Sequence, residues 1–511
     1  MKQLFILTLA SLFLISINNY ATIHYVTETG AGSFDGSSWA NAYPADSLQT
    51  AINNSNIGDQ VWVAAGTYLT TNGTDRSVAF SMKNGIAIFG SFIGTETSLS
   101  QRNISCGPNS HLSGNIGAAT NTDNSYKVIR NSLLPDSSAI LDGFIISGGY
   151  DERAPTITDG LGGGIYNDGS NGGVCNPMIR NCVIRNNQAE FGAGIFNNGY
   201  NGGICIPTFE NCLIVNNYAT GGGGGIDNFG LLSGNANPTI INTLIANNTA
   251  DDAAGGMYCW GGANGSAVAS LINVTMVNNT VINGNGGGIV IDNSNTGGGV
   301  GGSSGFAAAY LNSSILVGNT AINGPQFHIY GTGFANAQYS DIDTNNQSGS
   351  NSLDVTSANN IFTNPLFANP LTPIGIDSCW MTLDDGFQLQ SSSLCINAGS
   401  ISSSTIYDLA FNDRISDINI DMGAYEFQNI ASLNNEHELG LLIFPNPSMS
   451  EINIQSDITI LNILCFNSMG QRISVNHENN IMDVSTLPAG IYHLIIFSEN
   501  NHQHTASFIK E

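Results

Sequence analysis

Positive charge is what this chain has least of. Lys and Arg number 12 in 511 residues against 38 Asp and Glu, for a net charge of −26. Nucleic acid and anionic membrane surfaces are excluded as partners, because both are bound through clustered cations. Between Arg185 and Arg414 there is no Lys or Arg, and His328 is the one His in that interval. Helical periodicity is missing from the middle of the chain, which excludes helical repeats. Past the N-terminus no apolar run is long enough to span a bilayer, so no transmembrane segment is expected in the mature chain. The 9 Cys and 8 His show no zinc spacing. No Gly-Gly-x-Gly-x-Asp nonapeptide and no EF-hand loop is present. Calcium stays open only at a site of another kind, and no other cofactor is indicated.

What is present is glycine (61 residues), asparagine and repetition. Gly162-Gly163-Gly164-Ile165-Tyr166-Asn167-Asp168 returns with its third residue at Gly194, Gly225, Gly256 and Gly288, in steps of 30, 31, 31 and 32. A second row, Asn181-Cys182-Val183-Ile184-Arg185-Asn186-Asn187, returns from Asn211, Asn242 and Asn273 in steps of 30, 31 and 31. A period near 30 means a solenoid, and short Ile/Val-rich rows bounded by Gly and Asn read as strands. One coil per repeat gives a parallel β-helix with strands about 4.8 Å apart. Ile165, Ile195, Ile226, Met257 and Ile289 should stack inside it, as should Ile184, Ile214, Ile245 and Met276. Asn186, Asn216, Asn247 and Asn278 should form an amide ladder, and glycine should serve corners of positive φ.

Equivalent positions on neighbouring coils also pair Cys175 with Cys205 and Cys182 with Cys212. These read first as small apolar core residues, with inter-coil disulfides as the alternative; Cys379 and Cys395 are a further candidate pair.

In chain order, residues 1–21 read as a secretory signal: Lys2 supplies the positive charge, residues 4–17 the apolar core, and Ala21 a cleavage site. Residues 22–80 read as an N-terminal cap, with a short helix at 45–51 capped by Asp46. The β-helix is expected over 81–428, a polar linker over 429–440, and a small β-sandwich of alternating strands over 441–511.

Two stretches carry a resemblance. Gly58-Asp59-Gln60-Val61-Trp62-Val63-Ala64-Ala65-Gly66-Thr67-Tyr68, Leu141-Asp142-Gly143-Phe144-Ile145-Ile146, Cys395-Ile396-Asn397-Ala398-Gly399 and Asp421-Met422-Gly423-Ala424-Tyr425-Glu426 are similar to secreted right-handed β-helix proteins of the pectin-lyase-like superfamily, across about residues 23–427. Ile443-Phe444-Pro445-Asn446-Pro447, Met469-Gly470-Gln471, Leu487-Pro488-Ala489-Gly490-Ile491-Tyr492 and Phe508-Ile509-Lys510 resemble the type A C-terminal sorting domain of type IX secretion cargo. That resemblance implies the type IX machinery as a partner, passage across the outer membrane, and release or attachment at the cell surface.

Lyases on the resembled fold abstract a proton with Lys or Arg, which most of the repeat array lacks; Arg180 and Arg185 read as exposed on opposite faces of one strand. Elimination is therefore disfavoured, and activity as an enzyme is not the first reading. Carboxylates would suffice for glycoside hydrolysis, with Glu190, Asp227, Asp251, Asp252 and Asp292 as candidates. Glu190 and Asp251 fall near equivalent positions two coils apart; Asp251-Asp252 resembles the aspartate pair of polygalacturonase-like enzymes, without the Gly-His-Gly and Arg-Ile-Lys signatures. Binding fits better. Strand alternation turns Tyr166, Phe196, Phe229, Tyr258 and Trp260 outward beside Asp and Asn, a strip suited to stacking sugar rings of a polysaccharide or cell-surface glycan. Loops folding back would instead bury those rings, and a structural stalk is the third reading.

Overall fold

A computed structural model describes residues 21–117, 120–156, 158–294, 305–344, 348–349, 353–356, 359–401, 405–416, 418–428, 442–455, 460–467, 472–473, 475–478, 480–498 and 503–511. The expected signal segment, apart from Ala21, and the expected linker lie outside the described residues. The chain divides into two compact units, Met1–Gln428 and Asn429–Glu511.

The first unit is a right-handed parallel β-helix. One coil shows the plan: Met178–Arg180 lies in a first sheet, Val183–Arg185 in a second, Gln188–Phe191 in a short fourth and Ile195–Asn198 in a third. These sheets hold 13, 9, 5 and 8 strands among the described residues, and the pairings between coils are parallel and in register except for shifts after Trp62 and after Ala189. Ile165, Ile195, Ile226, Met257, Ile289 and Phe327 stand in one column and are sealed from solvent, as are Ile184, Ile214, Ile245, Met276 and Leu316 in another.

The Asn-Asn pairs split their tasks differently from the sequence reading. The first residue of each pair makes a corner: Asn186, Asn216, Asn247 and Asn278 have φ of 54°, 57°, 56° and 57°. Asn tolerates this left-handed conformation better than other side chains. The second residue turns inward and builds the ladder. Asn187 Nδ2 donates to Asn217 Oδ1, Asn217 to Asn248, Asn248 to Asn279 and Asn279 to Asn319, at 3.0, 3.0, 2.9 and 2.9 Å. A second buried ladder runs Asn131, Asn167, Asn197, Asn228. Asn181, Asn211, Asn242 and Asn273 form another left-handed corner, between the first and second sheets. Arg180 and Arg185 therefore lie on different strands, and Arg180 Nε pairs with Asp142 at 2.6 Å.

Glycine also does two jobs. Gly162, Gly192, Gly223 and Gly286 carry the positive φ of a corner, where Ala254 takes their place on one coil. Gly164, Gly194 and Gly225 are required for another reason: a Cβ on each would meet the carbonyl oxygen of the glycine one coil on at 2.5 Å.

The proposed inter-coil disulfides are absent. Cys175, Cys205, Cys182 and Cys212 are free and buried. The latter two thiols donate to backbone carbonyls, Cys182 to Arg180 and Cys212 to Glu210, at 3.1 and 3.3 Å. Cys379 bonds to Cys106 rather than to Cys395, with Cα atoms 5.0 Å apart. Cys395 is buried with its sulfur 3.3 Å from Asp341 Oδ2.

Both ends of the unit differ from expectation. The helix covering the open end spans Leu48–Asn54 and buries Leu48, Ala51 and Ile52 in the main core; Ala45–Ser47 ahead of it is a 3-10 turn, so Asp46 is not its cap. The first coil already forms within the stretch read as cap, through Gln60–Ala64 and Gly66–Leu69. At the other end, the last strand of the first sheet is Leu353–Asp354. The chain after it turns back as a strap over the second sheet. Phe367, Trp380, Met381, Phe387, Leu389 and Tyr425 pack on Val183, Leu213, Val215, Leu244 and Val277. The Cys106–Cys379 bond ties the strap to an early coil.

The second unit holds two antiparallel four-stranded sheets around Ile452, Ile454, Cys465, Met482, Leu494, Ile496 and Phe508.

Candidate functional site

The outer face of the third sheet carries two columns. One reads Arg130, Tyr166, Phe196, Asp227, Tyr258, Val290, His328. The other, two residues further along each strand, reads Asp168, Asn198, Phe229, Trp260, Asp292, Tyr330. Alternation thus places the aromatic candidates outside the coil, as the sequence implies. It does not leave them all open. Tyr166 and Phe196 are buried against Leu161 and Phe191, and Tyr258 against Ala254 and Val290. Leu161, Phe191 and Ala254, which precede the strands, thus pack over the middle of the first column, while Arg130 at its start is exposed. Phe229 and Trp260, in the second column, remain half-exposed.

Between that wall and the second column lies a pocket of about 390 Å³. Phe191, Phe196, Tyr200, Phe229 and Trp260 supply its rings, with Pro155 and Thr156 at its rim. Phe229 stands edge-on to Trp260 at 5.2 Å and stacks with Tyr200 at 5.8 Å. Asp227 lines the pocket and is 1% exposed. Its Oδ1 has no hydrogen-bond partner among the described residues, and neither has the buried Nε1 of Trp260. Burial pushes the Asp227 carboxyl well above the usual carboxylate range, since no donor or cation offsets it.

The other carboxylates do not converge on this pocket. Asp251 holds Tyr218 Oη at 2.9 Å from both its oxygens. Glu190 is pushed up by partial burial and by the charge of Asp252, so these two are electrostatic neighbours rather than the expected Glu190 and Asp251. Asp252 itself is exposed. Asp292 accepts from Ser294 N and Oγ at 2.7 and 2.6 Å and from Tyr258 Oη at 3.2 Å. His328 stands edge-on to Tyr330 at 4.2 Å, with Nδ1 2.7 Å from Ser348 Oγ. Among the described residues no three of His, Cys, Asp and Glu come together as metal ligands. Leu161, Phe191 and Tyr200 are missed by sequence reasoning because they lie outside the inward columns, Leu161 and Phe191 paired at the end of the fourth sheet and Tyr200 in a turn. Their one signal is position, Leu161 and Phe191 directly before a glycine of the repeat row and Tyr200 directly after Gly199.

Comparison with known proteins adds the export route. Residues 442–511 match the secretion system C-terminal sorting domain. The chain is therefore type IX secretion cargo, carried across the outer membrane to the cell surface or beyond. No curated protein matches the chain. Among solved structures, the pectate lyase Pel9A superposes with a TM-score of 0.42 at 16% identity, covering 80% of this chain and 98% of that one. No helix among the described residues is long and apolar enough to cross a membrane.

Proposed function

We propose that this secreted protein binds glycan in the aromatic pocket on the outer face of the third sheet. The observation that carries the reading is the pair of buried, unpartnered polar atoms, Asp227 Oδ1 and Trp260 Nε1, at an aromatic pocket open to solvent. Buried polar atoms are almost always paired, so two on residues lining one pocket, without partners among the described residues, favour a ligand that supplies a donor and an acceptor. Sugar hydroxyls do both, and sugar rings stack on aromatic faces.

Glycoside hydrolysis is the second reading, drawn from Asp227 alone. A carboxyl kept protonated by burial is what a general acid needs. A hydrolase also needs a second carboxylate across the scissile bond, and no other Asp or Glu lines this pocket among the described residues.

Titration of the full chain with neutral and acidic polysaccharides, followed by Trp fluorescence and by mass spectrometry of products, tests both. Saturable binding without products, abolished by Trp260→Ala, supports the binding reading. Saturated oligosaccharide products would move the protein to the hydrolases. Silence across the panel, with Trp260→Ala indistinguishable from the parent, would reject a glycan site here and favour a stalk.

A further inference from the structure

The charges around the pocket narrow the class of sugar. No Lys, Arg or His lines it, and the sequence has neither Lys nor Arg from 186 to 413. Asp227 is thus a carboxyl held in its neutral form by burial, with no cation beside it among the described residues lining the pocket; a bound ammonium would favour its ionised form. A nearby carboxylate, on the fourth sheet, shows how a buried acid is satisfied elsewhere. Near Tyr166, two coils before Asp227 in the same column, Lys127 Nζ lies 2.7 Å from Asp151 Oδ2 and 5.0 Å from the centroid of the Tyr166 ring. There an ammonium sits between an aromatic face and a carboxylate that Arg153 Nε and Nη2 also hold, each at 2.7 Å. The pocket offers the carboxyl and five rings but no ammonium.

We infer that the pocket selects sugars bearing a protonated amino group, which occupies among these rings the place against Asp227 that Lys127 occupies against Asp151. The inference rests on the reading of the pocket as a glycan site. An ammonium is attracted to aromatic faces and to a carboxylate together. A net charge of −26 draws cations toward the protein and repels uronic acids. Trp260 Nε1 adds the demand for an acceptor, which a bare amine lacks and a sugar oxygen meets. An N-acetylated sugar loses the charge and adds bulk, so it forfeits the interaction with Asp227.

The test is calorimetric titration of the full chain with glucosamine oligomers, their N-acetylated counterparts and glucose oligomers of equal length, at one mildly acidic pH. The expected result is at least tenfold tighter binding of the amino oligomers. Asp227→Asn should erase that preference, bringing the three series to within twofold of one another. Trp260→Phe should weaken all ligands alike. Thermal melting of Asp227→Asn checks folding, and no loss is expected because the change removes an unpaired buried acid. Equal binding of the three series, unchanged in Asp227→Asn, would overturn amine selection and leave the glycan reading standing. Absence of binding by any series, in a variant set that melts normally, would overturn both.

Discussion

Two outer faces of the same coils meet opposite fates. The second and third sheets share their construction, with one inward column of Ile, Leu, Met or Phe and strands stacked in register. Their exteriors differ. Outward positions of the second sheet are mostly aliphatic, with Val183, Leu213, Val215, Leu244, Ala246 and Val277 beside Arg185 and Thr275, and the chain's own strap covers the aliphatic ones. Outward positions of the third sheet mix rings with Asp and Asn, and part of that face opens into a pocket. An aliphatic exterior asks only to be removed from water, which any complementary apolar segment can do. A face of rings and orphaned polar atoms asks for specific partners, and none is found at Asp227 Oδ1 and Trp260 Nε1 among the described residues.

The sharpest way to break this contrast is to truncate the covered face. Leu244→Ala, under the strap, should cost about 3–5 kcal/mol in denaturant unfolding. Phe229→Ala on the open face should cost about 1 kcal/mol yet abolish glycan titration. Comparable stability losses would mean that the third face is as structural as the second.

Freeing the strap comes next. Cys379→Ser opens a link across 273 residues and should lower stability by about 2–4 kcal/mol, with new proteolytic cuts between 361 and 427. Unchanged proteolysis would show that apolar packing alone holds the strap.

The covered face should also respond to pH. Burial raises Asp341 to about 6 and Asp385 to about 7. In the unfolded chain both titrate near 4. Their folded forms hold protons longer, so the stability they contribute is full below about pH 4 and is lost as pH rises through 6 and 7. The first unit should melt at a higher temperature at pH 5 than at pH 8, and Asp385→Asn should reduce the difference. A melting temperature that rises between those values would contradict this.

The smallest effect separates the two residues of an Asn-Asn pair. Asn216→Ala loses a left-handed corner and should cost about 1–2 kcal/mol, while Asn216→Gly should cost almost nothing. Asn217→Gly should not be spared, because Asn217 Nδ2 donates to Asn248 Oδ1 and to Ile184 O.

That pair marks where legibility ended. The repeat rows and their inward Ile columns were readable because burial imposes one residue type on every coil. Asn186 and Asn187 recur with identical spacing, so periodicity cannot say which bends the chain and which faces inward; only φ distinguishes them. The strap escaped notice because residues 361–427 contain hardly any regular strand, and because aliphatic residues facing out look the same as those facing in. The outward aromatics were legible as a strip. Their burial was legible only as an alternative, through loops after each row; the residues that cover them, Leu161, Phe191 and Ala254, instead precede the strands. The pairing of Cys106 with Cys379 joins segments 273 residues apart, and no repeat spacing connects them.

The amide ladder has one weakness: every rung offers the same donor and acceptor, so a coil displaced by a whole repeat would still satisfy each neighbour. The strap cannot be fooled in this way. One of its contacts falls on a particular rung, where Ala424 N donates to Thr275 Oγ1. Thr275 has Leu213 and Leu244 as its equivalents on the two preceding coils, and a leucine offers no oxygen. A strap laid along the helix therefore works as a ruler, rejecting an assembly that has skipped or repeated a coil.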